Sequence, residues 1–393
     1  MNALLRTTAI LAIAAYSLPA LAAENTEELR KQLQLLQQQV QSLQGKLETL
    51  ESKAVQPAPA AKKTSGAKIS FKPVPKIESA DGKYSMQLGG RMLVDAALFN
   101  DDAADHSDGT EFRTLRLFVK GKLGEDWAYK FENDFAGDGS DIKDAYIAYK
   151  GFDATGIKVG QFKEPFGLEE LTSSRFTTFL ERAAVHTFSP GRQIGLGTAT
   201  HGENWSLAGG VFGEEASDSG SDDEGYSVTA RATYAPIAEK DKVLHLGAAG
   251  SYRVPDSGSD AVRFRERGEA HQASLRAVDT GSITGVDSHR LLGLEAAGVA
   301  GPFSLQGEYI AAQVDRGSGL SDPSFDGYYA QASYFLTGES RNYSAKKGTF
   351  GRVKPNTPFS LKDGGAGAWE VAARYSNLDL NDGAIAGGEM TNY

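Results

Sequence analysis

The 393-residue chain contains no cysteine, so neither disulfides nor a thiolate metal site can hold it together. Beyond its first residues it has no run of roughly 18 consecutive apolar residues, the length a membrane-spanning helix requires. If it enters a membrane, it does so with strands. Positive charge is also in deficit: 41 Lys and Arg stand against 51 Asp and Glu, a formal net charge of -10, which argues against nucleic acid as a partner. The six histidines, His106, His186, His201, His245, His271 and His289, are scattered without metal-ligand spacing. There is no G-x-S-x-G elbow. The acidic run Glu214 to Gly225 lacks the closing glutamate of a calcium loop and reads as a hydrated surface loop. No catalytic residue, metal or cofactor is assigned, and the chain is not read as an enzyme.

Glycine and aromatics are plentiful, with 45 Gly, 15 Tyr and 19 Phe, while hydrophobic residues make up only 40%. Spread over many short segments, they suit an all-β architecture. Residues 1–23 read as a secretory signal peptide: one early charge at Arg6, the apolar "TTAILAIAAYSL", then "PALAA" with an A-x-A cleavage pattern. Residues 24–54 hold an unbroken heptad, Leu29, Leu33, Leu36, Val40, Leu43, Leu47, Leu50 and Ala54, which predicts a coiled coil that self-associates. Residues 55–82 follow as a Pro/Ala-rich linker.

From Lys83 onward the pattern has period two. In "EFRTLRLFVKGKL", Leu115, Leu117, Val119 and Leu123 form one row and Arg116, Lys120 and Lys122 the other. In "WAYKFENDF", Trp127, Tyr129, Phe131 and Phe135 oppose Lys130, Glu132 and Asp134. A soluble sandwich would bury the apolar row; an outer-membrane barrel turns it to lipid and keeps water inside. Two features favour the barrel. Connections alternate in length, from the long "NDDAADHSDGTE" to the short "GED", and aromatics such as Trp127, Trp205, Tyr234, Tyr252 and Tyr334 recur near segment ends, where interfacial girdles lie. Thirteen strand-like runs begin near Tyr84, Phe112, Trp127, Lys143, Gly156, Gln193, Asn204, Gly225, Val243, His289, Pro302, Gly327 and Gly367, and "EMTNY" reads as the start of another. An unfinished count leaves an edge that lipid does not tolerate. The expectation is a barrel of about sixteen strands whose last two or so lie beyond Tyr393.

The segments "KFENDFAGDGSDIKDAYIAY", "VGQFKEPFGLEELTSSRFTTFLERA", "SPGRQIG" and "YFLTGESRNYSAKKGTFGRVKPNTPF" resemble the phosphate-selective porin O/P family of Gram-negative outer membranes. The resemblance runs from Lys83 to Tyr393. It implies a homotrimeric, sixteen-stranded anion channel embedded in outer-membrane lipid and lipopolysaccharide, with the coiled coil in the periplasm.

Three connections are too long for turns: Lys163 to Arg192, Val254 to Ser288 and Thr337 to Ala366. Folded inward, they would narrow the pore. The first balances Lys163, Arg175, Arg182 and Arg192 against Glu164, Glu169, Glu170 and Glu181; the second sets Arg263, Arg265 and Arg267 at i, i+2 spacing, on one face if extended. In the third, bases including Lys346, Lys347, Arg352 and Lys354 outnumber Glu339 and Asp363. Such side chains replace part of an anion's hydration shell and exclude cations. The family's anion site uses a lysine after "FGLE" and the arginine of "ER". Here Arg182 keeps the arginine but Glu170 stands in the lysine's place, which weakens the case for strict phosphate specificity. The expected solutes are phosphate, polyphosphate or other small inorganic or organic anions. A different function remains open: a tether whose coiled coil, with Lys62 and Lys63, contacts peptidoglycan while the barrel anchors it. A sugar porin would want an aromatic ladder in the lumen, and the aromatics fall mostly on the apolar row.

Overall fold

A computed structural model describes residues 34–35, 37–46, 66–71, 74–100, 108–137, 139–214, 216, 224–258, 260–317 and 319–393. The chain divides into two units, Met1–Gly66 and Ala67–Tyr393. In the first, residues 34–35 and 37–46 are helical (α1) and exposed, including the heptad positions Val40 and Leu43. The signal segment, the remaining heptad positions, residues 55–65 of the Pro/Ala stretch with Lys62 and Lys63, His106 and most of the acidic run lie outside the described residues. No described helix is long and apolar enough to cross a membrane.

The second unit is built from β1 (Lys68–Ser70), β2 (Lys76–Glu78), β3 (Ser85–Ala97), β4 (Gly109–Leu123), β5 (Trp127–Asp134), β6 (Asp141–Tyr149) and β7 (Thr155–Lys163). The helix α2 (Leu168–Leu171) and a 3-10 turn, Ala184–Phe188, precede β8 (Arg192–His201), β9 (Trp205–Phe212), β10 (Tyr226–Ala238) and β11 (Lys242–Val254). Then come the short pair β12 (Arg265–Glu266) and β13 (Val278–Asp279), followed by β14 (Val286–Ala300), β15 (Phe303–Arg316) and β16 (Ser324–Phe335). A second short pair, β17 (Asn342–Ser344) and β18 (Thr349–Gly351), precedes β19 (Glu370–Asp382) and β20 (Ile385–Asn392).

Sixteen of these strands form one sheet in chain order, interrupted only by the two short pairs, and every neighbour is antiparallel. Each of the thirteen anticipated runs corresponds to a long strand. The polar "EMTNY" is the second half of β20 rather than the start of a strand. Its first half was hidden because Gly387 and Gly388 carry no side chain to mark the alternation. The three-residue strands β1 and β2 lie within the stretch read as linker; β1 pairs with β2, and β2 pairs onto β3. They are too short to show a period.

The sheet is inside-out by the standards of a water-soluble core. Along β10, Tyr226, Val228 and Tyr234 are exposed while Ser227, Thr229, Arg231 and Thr233 are buried. Along β15, Phe303, Leu305 and Tyr309 are exposed while Ser304, Gln306 and Glu308 are buried. An apolar row outside and a polar row inside is the pattern of a wall with lipid on one face and water on the other. Aromatics pair across neighbouring strands at the end carrying the short turns: Trp127 opposite Tyr149, Trp205 opposite Tyr234, Phe303 opposite Tyr334. Tyr328 and Tyr375 meet near the middle of β16 and β19, 6.0 Å between ring centroids.

The sheet curls, because strands far apart in its order reach the same segment. Arg91 of β3, Arg113 of β4, Glu308 of β15 and Arg374 of β19 all bond residues between 164 and 191. That segment, the first insert, therefore lies within the curl. Replacing the outward Leu294 at the middle of β14 by Arg is expected to destabilise the protein in lipid by about 2–4 kcal/mol. Urea unfolding in vesicles measures it, and an unchanged midpoint would place that face against something other than lipid.

Candidate functional site

The first insert is held by apolar packing and by one carboxylate. Phe166, Ala183, Ala184, Val185 and Phe188 pack on Ile310, Ala312, Tyr329 and Leu378 from the inner face of β15, β16 and β19. Gly293 makes room for Phe166: a Cβ there would approach its Cζ to 3.0 Å. Gly167, with φ of +73°, turns the chain into α2. The first backbone amides of α2 are then free, and the buried Glu308 carboxylate accepts both, from Leu168 N and Glu169 N at 2.7 Å each. A carboxylate at a helix start satisfies donors that the helix itself cannot. His186 Nε2 stands 3.3 Å from Glu169 Oε2 and 3.5 Å from Glu308 Oε1, and its Nδ1 is 2.8 Å from Ser189 Oγ.

Glu170 does not stand alone as an added negative charge. It ion-pairs with Lys163, which also bonds the Glu170 carbonyl, and its Oε2 lies 3.1 Å from Arg182 Nε. Arg182 further donates to the carbonyls of Glu169 at 3.0 Å, Glu170 at 3.2 Å and Thr172 at 3.1 Å. Burial pushes the Glu170 carboxyl upward, but Arg182 and Lys163 outweigh it and hold its pKa at about 2. Two of the anticipated anion-path cations are thus committed to closing the α2 turn. Arg192 is committed as well, 2.9 Å from Asp144 Oδ1.

The "RFRER" row is not a shared lining. Arg263 pairs with Asp279, 2.7 Å from Nε to Oδ1; Arg265 is exposed; Arg267 curls back onto the His271 carbonyl. Phe264 between them is buried, edge-on to Phe188 at 5.1 Å. A mixed-charge cavity of about 260 Å³ opens between this second insert and the first, with Arg267, Arg182 and Arg113 facing Glu170, Glu181 and Glu269. Arg113 and Glu181 form a bidentate pair, Nη2 to Oε2 at 2.9 Å.

The third long connection enters from the opposite end. β16 runs toward the short turns, so the segment joining it to β19 starts there and meets the first insert from below. Phe350 N donates to Thr172 Oγ1 at 3.3 Å, and Phe350 packs with Leu168 and Val243. Arg231 anchors it by donating to the Gly348 carbonyl at 2.7 Å, and Tyr343 OH is 2.6 Å from His245 Nδ1. Arg352 and Arg175 line a cavity of about 270 Å³, with the Arg352 guanidinium 6.0 Å from the Phe176 ring; Lys354 is exposed nearby in sequence.

The family model Phosphate-selective porin O and P matches residues 86–393. The chain belongs to this family. Porin O of Pseudomonas aeruginosa is 30% identical over 360 residues, covering 84% of this chain and 81% of the relative. An uncharacterized protein of Caulobacter vibrioides is 31% identical over 356 residues, covering 85% and 69%. The solved outer-membrane protein OmpT of Vibrio cholerae superimposes over 75% of this chain and 99% of its own at 10% identity, with a TM-score of 0.33, too loose to add to the assignment. This chain is a porin, a channel rather than an enzyme.

Of the anticipated cations, Arg175, Arg265, Arg267, Arg352 and Lys354 have no carboxylate ion-pair partner among the described residues, unlike Lys163, Arg182, Arg192 and Arg263, and Arg91 and Lys120 of the wall strands join them. Arg91 donates to Ser174 Oγ at 3.0 Å, while its buried Nε has no hydrogen-bond partner. The charges of Arg116, Glu132, Arg175 and Arg192 all reach it. Lys120, on the inner row of β4, feels Lys130, Arg175 and Lys347 and, in the opposite sense, Glu132. Arg91, Lys120, Arg175 and Lys347 thus converge from two wall strands and from both ends of the lumen. Arg175 and Lys347 are visible in the sequence as loop cations and Lys120 as part of a charged strand row; Arg91 sits in "QLGGRMLV", where its one signal is its place on the inward row.

Burial disfavours charge on His186, but Glu308 and Glu169 beside it push its pKa up to about 9. A raised folded value means that the charge stabilises the insert fully below the unfolded value of about 6.5. That contribution is lost as pH rises through 9. Protease resistance of the first insert is expected to fall between pH 7 and 10, and His186→Gln to flatten that dependence; identical profiles would remove His186 from the anchoring.

Proposed function

We propose that this porin forms an outer-membrane, water-filled channel that prefers anions, with phosphate, polyphosphate and other small anions as solutes. The observation that carries the reading is the convergence of Arg91, Lys120, Arg175 and Lys347 beside the inserts with no carboxylate paired to any of them among the described residues. In a narrow, low-dielectric lumen such a group repels cations and replaces part of an anion's hydration. The overall charge of -10 does not oppose this, since the field inside a pore is set by the side chains that line it.

Strict phosphate specificity has less support. Phosphate recognition favours paired guanidinium or ammonium donors, and Glu170 already occupies Lys163 and Arg182. The reading is therefore an anion channel in which Glu170 restrains affinity for a dianion. The heptad of residues 24–54 and the family together favour a homotrimer with its coiled coil in the periplasm, the short turns on the same side and lipopolysaccharide around the opposite rim. The heptad equally supports a tether that contacts peptidoglycan; inserted trimers that carry no current would favour that role.

In planar bilayers under a potassium chloride gradient, the reversal potential is expected to show chloride preferred over potassium. Arg91→Glu combined with Arg175→Glu is expected to abolish or invert that preference. Glu170→Gln, by freeing Lys163 and Arg182, is expected to tighten phosphate block of the chloride current by about tenfold. A cation-selective wild type contradicts the reading.

A further inference from the structure

We propose that the lumen holds a second solute site, on the short-turn side of the first insert, that takes organic anions carrying an apolar body. It rests on the reading of the lumen as an anion path and names a substrate class within it. A cavity of about 400 Å³ lies between β6 to β9, the start of the first insert and the third connection. That is within the range of small-molecule sites, about 300–1,000 Å³.

Its charge is of one sign. Lys150, Lys158, Lys163, Lys346, Lys347 and Arg231 line it, with no Asp or Glu among the lining residues. Lys163 is engaged by Glu170, and Arg231 by Glu295 at 2.6 Å. Lys150, Lys158, Lys346 and Lys347 have no carboxylate partner among the described residues.

The opposite wall is smooth and apolar. Ala148, Ala199 and Ala208 lie on the inward rows of their strands, next to Phe162, which meets Phe212 edge-on at 5.4 Å. Gly197 completes this floor, since a Cβ there would approach Phe162 Cζ to 3.0 Å. Pro165 and Leu171 of the insert cover it. Lys158 sits at the seam between the two halves, its Nζ 4.5 Å from the Phe162 ring centroid and 4.6 Å from that of Tyr146. Aromatic faces attract an ammonium without neutralising it, so its charge stays available to a solute.

A bare inorganic ion gains from the lysines and nothing from the alanine and phenylalanine floor, because its hydration shell is polar on every side. A phosphate or carboxylate joined to a phenyl or short alkyl group gains from both, its body leaving water against the floor while its head faces the ammonium groups. The inner rows of the wall strands supply this floor, so the occupant arrives through the lumen and not from lipid.

The test compares phenyl phosphate with inorganic phosphate as blockers of the chloride current through the intact trimer in planar bilayers. Phenyl phosphate is expected to block at a concentration about tenfold lower than inorganic phosphate. Ala199→Phe, which fills the floor, and Lys158→Gln, which removes the seam charge, are each expected to bring that ratio toward one, with inorganic phosphate as the reference in every variant. An anion-selective channel with equal block by the two compounds overturns the niche alone. A ratio unchanged in both variants places the preference elsewhere and also overturns it. A cation-selective channel sinks the underlying anion path instead.

Discussion

The contact on which the placement of the first insert depends is between one wall carboxylate and the start of a four-residue helix. Glu308 accepts the amides of Leu168 and Glu169, and with Glu169 it surrounds His186. An insert of this length has little core of its own. It is positioned because its unsatisfied backbone donors find a buried acceptor on β15 and because Phe166, Val185 and Phe188 find an apolar sector of an otherwise polar inner wall. Once Leu168 and Glu169 are pinned, the chain that follows must cross the lumen. Glu170 then gathers Lys163 and Arg182, Ser174 reaches Arg91, and Glu181 reaches Arg113.

Charge in the lumen is accordingly divided by function. Arg182, Arg192, Arg231 and Arg263 each face a carboxylate and shape or brace the protein. Arg91, Lys120, Arg175 and Lys347 have no carboxylate ion pair among the described residues, and on the proposed reading it is their fields that a passing solute meets. A buried ion pair contributes little selectivity because each charge cancels the other at the distance of a passing solute, whereas an uncompensated guanidinium in low dielectric does not. Counting basic residues per loop therefore misjudges the path. What matters is which of them have no acid within reach.

Much of the architecture was legible in the chain. The period-two rows of "EFRTLRLFVKGKL" and "WAYKFENDF" became strands with Leu115, Leu117, Trp127 and Phe131 exposed on one face and Glu132 and Asp134 buried on the other, and the long insert after Lys163 folded into the lumen. The pairings were not legible, because they join residues far apart in sequence, as Arg113 and Glu181 or Leu168 and Glu308 do. The reach of the third connection from the short-turn end follows from strand parity, yet it becomes visible only when each strand's direction is known. The "RFRER" spacing implied a common face, but Asp279 and the His271 carbonyl, both contributed from outside the motif, drew Arg263 and Arg267 apart.

Because the chain has no cysteine, a single Ser174→Cys substitution reports the field at the point where Arg91 meets the first insert. The rates at which anionic and cationic methanethiosulfonates of equal size modify that thiol in the folded porin compare the two signs of charge directly. The account predicts that the anionic reagent reacts about tenfold faster or more, an advantage that falls with added salt. Equal rates, or faster reaction of the cationic reagent, would contradict an anion-attracting constriction.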